Sequence, residues 1–402
     1  MKIELHLLQN VPPSCLNRDD TNTPKDCQFG GVRRARISSQ CLKRAIRTDP
    51  RFETALKDRL GYRTRNLADE LIRRLKKAPQ RESAAALPIV QQFIAAAKLG
   101  QPEPAKANRK TKTVAHVSPA EIDTLATHLN DNWAALDGAH QADTEKKANA
   151  AKTELPSALQ VALKGWKLQP DSVDIALFGR MLAETDNVDA ACHVAHAIST
   201  NRVAMEMDYW AACEDFPAVD ETGEDPDEQG AALLGTQMFN SSCFYRYLVL
   251  DTDELVSNLK DDRKLAYTAS RVFLHTAVTA SPTGKQASTA AYAPPALIFL
   301  VARSAGVPLS MANAFEKPAR PTHDSGLVAE SIKQFCGHWD QVHAVYGQEG
   351  IEATGLCIVP DIRLPESWSG QDRHADGPKN TLVEAIDRVL VTAFPGEAGT
   401  AA

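Results

Sequence analysis

The densest set of groups that could do chemistry lies between Pro13 and Arg47. The chain reads Pro13-Ser-Cys-Leu-Asn-Arg-Asp-Asp20, then Phe29-Gly-Gly-Val-Arg-Arg-Ala-Arg-Ile-Ser-Ser-Gln-Cys-Leu-Lys-Arg-Ala-Ile-Arg47. A glycine pair lets backbone amides come close to a ligand, hydroxyls and amides gather at a helix start, and cations stand beside them; phosphate oxygens favour all three. Nothing in the run needs to read a base edge. The competing reading is a solvated basic surface around a structural cap.

Other signals are weaker. Tyr209-Trp210 could offer a stacking surface to a base, which has an apolar face whatever its identity, or could be an ordinary core pair. His193 and His196 stand three apart and could ligate a metal, but no third ligand is near in sequence, and a satisfied core role is the simpler expectation. Ser281-Pro-Thr-Gly-Lys-Gln286 resembles the end of a phosphate-binding P-loop and fails as one. Residue 279 is threonine where the first glycine should be, and Gln286 follows Lys285 where Ser or Thr should. A basic loop remains open for Lys285. Asp19-Asp20 could hold a metal in a nuclease, yet Arg18 and Lys25 offer simpler partners as surface ions.

The formal net charge of −6 over 402 residues at first argues against a nucleic-acid partner. The average hides a separation. Residues 1–47 carry nine Lys or Arg against four acids, and residues 214–228 carry eight acids and no base. That pattern predicts a basic binding face and a separate acidic surface. Apolar residues at 43% and charged residues at 24% are the balance of a folded protein, long enough for more than one packing unit. Eight cysteines, none in a CxxC pair, read as reduced core residues. With no apolar run of membrane-spanning length and no secretory layout at the start, the expected compartment is the cytoplasm, with no membrane partner.

The elements that must position these groups follow from periodicity. Ile3, Leu5 and Leu7 alternate with Lys2, Glu4 and His6, predicting a half-buried strand that Val11-Pro12-Pro13 ends. Arg33–Ile37 reads as a second extended segment, followed by a helix from Gln40 to about Arg47 capped by Ser38 or Ser39. Lys43 and Arg47, four apart, share a face of it. Residues 51–168 read as helices, with 101–112 as a mobile loop. Strand character returns at Val173–Leu177, and 190–199 is either a short helix or an extended buried run. Phe239–Leu250, Leu297–Val301 and Gly355–Val359 predict strands, and Leu265–Ala280 and Thr381–Ala393 predict helices. The class is α+β with large insertions.

Several runs, in order, resemble the CasC family, the backbone subunit of the type I-E CRISPR Cascade surveillance complex. They are Ser14–Asp20, Arg36–Gln40 with Leu42–Ala45, Asp174–Met181, His196–Ile198, Leu234–Gln237 with Phe244–Tyr247, and Leu309–Lys317. The resemblance spans residues 2 to about 318 and is weakest over 50–168 and after 320.

The resemblance implies an RRM-like (ferredoxin-like) palm sheet built from 1–50, 171–198 and 236–402, the last with a C-terminal helix. It implies helical fingers over 51–170 and an extended thumb hairpin over 199–235. It also implies a non-catalytic chain without cofactors that stacks in several copies along a CRISPR guide RNA and presents it for pairing with target DNA. The implied companions are a large subunit, a small subunit, a subunit capping the guide 5′ end and a guide-processing endonuclease. Residue by residue, the implied RNA contacts are Arg18, Lys25, Ser38, Gln40, Lys43 and Arg47, with Met181, Tyr209 and Trp210 against bases. Where the family often carries lysine after the glycine pair, this chain has Val32, so that contact is not carried over.

Two other readings stay open at this level: a metal-dependent nuclease using Asp19, Asp20 or the histidines, and a stand-alone RNA-binding module.

Overall fold

The computed structural model describes residues 1–75, 83–103, 109–146, 155–164, 171–181, 187–212, 233–373 and 379–397. The strands among them are β1 (Lys2–Ser14), β2 (Asp26–Phe29), β3 (Val32–Ile37), β4 (Tyr62–Thr64), β5 (Ala115–Val117), β6 (Cys192–Val194), β7 (Ala197–Ser199), β8 (Glu206–Ala212), β9 (Leu233–Asp251), β10 (Leu297–Arg303) and β11 (Ile351–Ile358). The chain divides into two units: one of residues 1–52, 193–251 and 270–402, the other of 53–192 and 252–269.

In the first unit the sheet runs β11-β10-β1-β9-β7-β3-β2, with β6 and β8 also pairing to β9. Its centre, β10-β1-β9-β7, is antiparallel at every step. β1 lies between β10 and β9 only as far as Leu8; beyond it the strand pairs with β9 alone. This accounts for Pro12 and Pro13, which were expected to end the strand. Prolines lack the ladder donor, and here they sit at a register shift between Val11 and Ser14 on a one-sided stretch, where no partner needs their N–H.

β1 is buried on both faces, which corrects the half-buried expectation. Ile3, Leu5 and Leu7 are buried on one side, and on the other Glu4 and His6 are fully buried in a polar network. Arg303 Nε and Tyr247 Oη donate to the two oxygens of Glu4 at 2.7 and 2.9 Å, and the Leu309 amide adds a third bond at 2.8 Å. Met311 N–H donates to the Tyr245 hydroxyl at 2.9 Å, and that hydroxyl is 2.8 Å from His6 Nδ1. Alternation records polarity, and a polar residue with hydrogen-bond partners can be as buried as an apolar one. Around this network Phe299, Phe335, Trp339 and Trp368 close the core beneath the helix Leu327–Tyr346.

The helix Leu382–Ala393, opened by a capping box from Thr381 and Glu384, packs on β10 and β11. The expected strands at 239–250, 297–301 and 355–359 and the helices near 265–280 and 381–393 are present with shifted ends. The 190–199 run is extended, as β6 and β7.

The second unit is built on helices including Leu67–Leu75, Ser83–Ala96, Pro119–Asp131 and Trp133–Lys146, with Leu71, Phe93, Leu125 and Leu136 among the buried residues they share. Val173–Phe178 is here a helix, not the expected strand. A six-residue run buried all round has no period to separate the two. The Asp174 carboxylate, buried within it, accepts from Gly61 N–H at 2.7 Å and faces His116 Nε2 at 3.1 Å. Of the 101–112 loop, Pro102 bridges Thr111, and 104–108 lie outside the described residues.

Candidate nucleic-acid interface

The candidate site is assembled by β2, β3 and the helix Ser39–Arg47. Ser38 caps this helix: its hydroxyl accepts from Cys41 N–H at 3.3 Å, and its own amide donates to Asn17 Oδ1 at 2.8 Å. Asn17 also takes the Lys25 amide on its carbonyl, so one residue fixes both the helix start and the approach to β2. Leu42 and Ile46 are buried, which turns Gln40 and Arg44 outward and leaves Lys43 and Arg47 half-buried on the flank. Ser38 itself is only 6% exposed, so its contribution to a ligand is the exposed helix start it organises.

Gly30 and Gly31 form the two-residue turn between Phe29 and Val32, both with positive φ, as tight hairpins of opposite turn hand require. The turn was expected to open its backbone to phosphate. Instead a Cβ on Gly30 would stand 1.9 Å from the Glu316 carbonyl oxygen, so this glycine lets β2–β3 press against the 312–316 turn; above Gly31 the space is open.

Of the nine cations in 1–47, Arg34, Lys2 and Arg33 are tied to carbonyls or acids of the fold. Arg34 is fully buried and donates to the carbonyls of Phe29, Ser199, Thr200, Phe315 and Glu316 at 2.6–3.2 Å. Lys2 pairs with Asp251, and Arg33 pairs with Asp26. The other six, Arg18, Lys25, Arg36, Lys43, Arg44 and Arg47, are half-buried or exposed around the helix start. Arg18 is exposed and donates to Asn22 Oδ1 at 3.2 Å. Asp19 ties its own loop: the Thr21 hydroxyl and amide and the Thr23 amide donate to it, and these bonds hold its carboxyl below the ordinary range.

His193 and His196 are both exposed, against the expectation of core positions. His193 is in β6, and His196 precedes β7 with its Nδ1 3.1 Å from Arg36 Nη1. Nothing in the sequence signals this contact, because it depends on the pairing of Arg36 with Ile198 across β3 and β7. Lys285 stands at a positive φ and donates to Gln237 Oε1 at 3.0 Å, at the root of the β8–β9 ribbon. Among the described residues no group of three or more His, Cys, Asp or Glu side chains is placed to hold a metal ion. The described cysteines are all free thiols; Cys27 and Cys41 are half-buried and the others buried. Cys213 and the acidic stretch 214–228 lie outside the described residues.

β8 and the first part of β9 form a two-stranded ribbon whose residues are largely exposed. Tyr209 is 62% and Trp210 42% exposed, so neither is a core aromatic. As strand neighbours they point to opposite faces. Met207 and Tyr209 share one face with Met238, Thr236 and Leu234, while Trp210 lies on the other, over Gly235. Met181 is 90% exposed and belongs to the second unit, next to Arg180, whose Nη1 binds Glu121 at 2.8 Å.

Residues 3–373 match the model of one protein family, described as CT1975-like protein. The chain is a member of the CT1975-like family. A solved structure described as "CRISPR RNA-guided surveillance complex, pre-nicking" contains a chain 26% identical to this CT1975-like chain, with a TM-score of 0.75 over 98% of this chain and 100% of that one. A second, described as "CRISPR RNA-guided surveillance complex", shares the fold at 22% identity and a TM-score of 0.67, again over 98% and 100%. No curated protein matches. Among the described residues of this CT1975-like chain, no helix is long and apolar enough to cross a membrane.

Proposed function

We propose that this CT1975-like chain is a cytoplasmic, non-catalytic backbone subunit of a Cascade-type surveillance complex of type I-E, binding CRISPR guide RNA without regard to sequence. The observation that carries the reading is the full-length likeness, at 26% identity and a TM-score of 0.75, to a chain of an RNA-guided surveillance complex. The chemistry of the face agrees with it. Guide sequences differ, so a holder must grip phosphate and sugar and leave base edges free, and Arg18, Lys25, Lys43 and Arg47 suit that task around a capped helix start.

In this reading the strand order β10-β1-β9-β7 is the palm, of RRM-like type, and the helices of the second unit are the fingers. The β8–β9 ribbon is the thumb, with Tyr209 and Trp210 meeting nucleotides on its two faces; Met181, in the second unit, packs against a base separately. Copies stack along one guide, which pairs with target DNA, and the companion subunits close the two ends.

Co-purification from native cells, with sequencing of the bound small RNA and mass measurement of the particle, tests the assignment. Guide-length RNA with many copies of the chain is expected. A protein that carries no small RNA, or that remains a single copy beside its companions, overturns it. Incubation of the bound RNA with magnesium tests the non-catalytic part: cleavage that disappears in Asp20→Ala would replace this reading with a nuclease.

A further inference from the structure

Arg36 and His196 form a pair whose hydrogen bonding changes with protonation. Arg36 Nε donates to the Asp26 carbonyl at 3.2 Å, and Nη1 donates to His196 Nδ1 at 3.1 Å. A guanidinium has no acceptor and keeps its charge, so His196 Nδ1 must be the accepting nitrogen and the ring must be neutral with its proton on Nε2. Lys25 stands beside them, its carbonyl bound to the Arg36 amide at 2.9 Å. The neighbouring carboxylate, Asp26, is engaged with Arg33. Among the described residues the charged groups acting on this exposed ring are cations, and burial of its inner edge, then Arg36 and Lys25, lower its pKa from 6.5.

We propose that His196, Arg36 and Lys25 form a subsite for one RNA phosphodiester, which replaces His196 as the acceptor of Arg36 and is met by an imidazolium. The inference rests on the RNA-binding reading above and adds residues to it: neither Arg36 nor His196 was among the contacts implied by resemblance. A docked phosphate brings a negative charge between two cations and the ring. Arg36 Nη1 turns from imidazole to phosphate oxygen, Nδ1 loses its donor, and a proton from solvent on Nδ1 lets the ring donate to the same phosphate. Below the pKa of the docked ring one proton enters per phosphate docked, and no bond other than N–H is formed. A neutral ring would forgo that bond, so RNA affinity rises as pH falls.

The test is fluorescence anisotropy with labelled single-stranded RNA of guide length at constant ionic strength from pH 8 to 5.5, using the full chain and the variants His196→Asn and His196→Arg. If docking raises the histidine pKa by about one unit, the wild-type affinity gains up to about tenfold toward low pH, the full gain being reached only below the pKa of the free ring. His196→Asn should match the wild type at pH 8 and lose the gain; His196→Arg should bind tightly at both ends. Equal melting temperatures of the three proteins show that the comparison is of folded chains. Retention of the full pH dependence by His196→Asn, with RNA still bound, overturns the subsite and leaves the RNA-binding reading standing. Absence of RNA binding by the wild type at every pH, even with its companions, overturns both.

Discussion

The indole of Trp210 lies across Gly235, its cross-strand partner, so closely that a Cβ on residue 235 would stand 2.4 Å from Cζ2. The ring thus covers bare backbone on one face of the ribbon, and its position depends on residue 235 having no side chain. Trp210 is held in place yet accessible, which is what a stacking surface needs.

Trp210→Ala should therefore leave the melting temperature nearly unchanged, since exposed substitutions usually stay within about 0.5 kcal/mol. Assembly on guide RNA should weaken by about 1 to 3 kcal/mol per subunit, the worth of a stacked base. Gly235→Val should reproduce part of the assembly defect by displacing the indole. Thermal unfolding beside native mass measurement of complexes checks both, and a large drop in stability with assembly intact would make Trp210 a packing residue.

Arg34 belongs to the fold and not to the basic face. Removing its guanidinium strands the carbonyls of Ser199, Thr200 and Phe315, and Arg34→Ala should cost about 3 to 5 kcal/mol in urea unfolding. Arg34→Lys should recover only a part, because one ammonium cannot span five acceptors. Any loss of RNA binding should track the unfolded fraction.

The two turn glycines should separate cleanly. Gly31→Ala meets open space and should lose about 1 to 2 kcal/mol for a left-handed backbone, whereas Gly30→Ala carries the same penalty and a collision with Glu316 O. Denaturation midpoints should fall much further for Gly30→Ala.

Lys43→Ala combined with Arg47→Ala should weaken guide binding about equally for unrelated sequences and lower the salt slope by roughly one to two. Titrations at three or four salt concentrations with two unrelated guides decide this. A loss confined to one guide would mean that the helix reads bases.

His6 gives the fold an acid limit. Burial first, then Arg303 and His343, pull its pKa from 6.5 down to about 3. The folded ring stays neutral while the unfolded one takes a proton below about 6.5, so stability is full above that pH and declines toward 3, at up to ~1.4 kcal/mol per pH unit. His6→Gln should show a shallower decline between pH 6.5 and 5 in urea titrations. An identical slope would assign the acid sensitivity to other groups.

Local pattern was enough to read the capped helix at 39–47, the strong strand around 239–250, the terminal helix and the concentration of cations before residue 48. Each rests on neighbours in sequence: a serine before an apolar face, a run of aromatic and branched residues, a repeat of 3.6. The order of the runs that resemble CasC also pointed to the right kind of family. What required the folded chain was which charges remain available. Arg34 is consumed by carbonyls 165 to 282 positions away in sequence, Glu4 by Arg303, and Gly30 by Glu316. Tyr209 and Trp210 part to opposite faces because the segment is a strand, and His196 meets Arg36 across 160 residues. Burial and partnership are properties of contacts between distant segments, and such contacts leave no period in the chain that makes them.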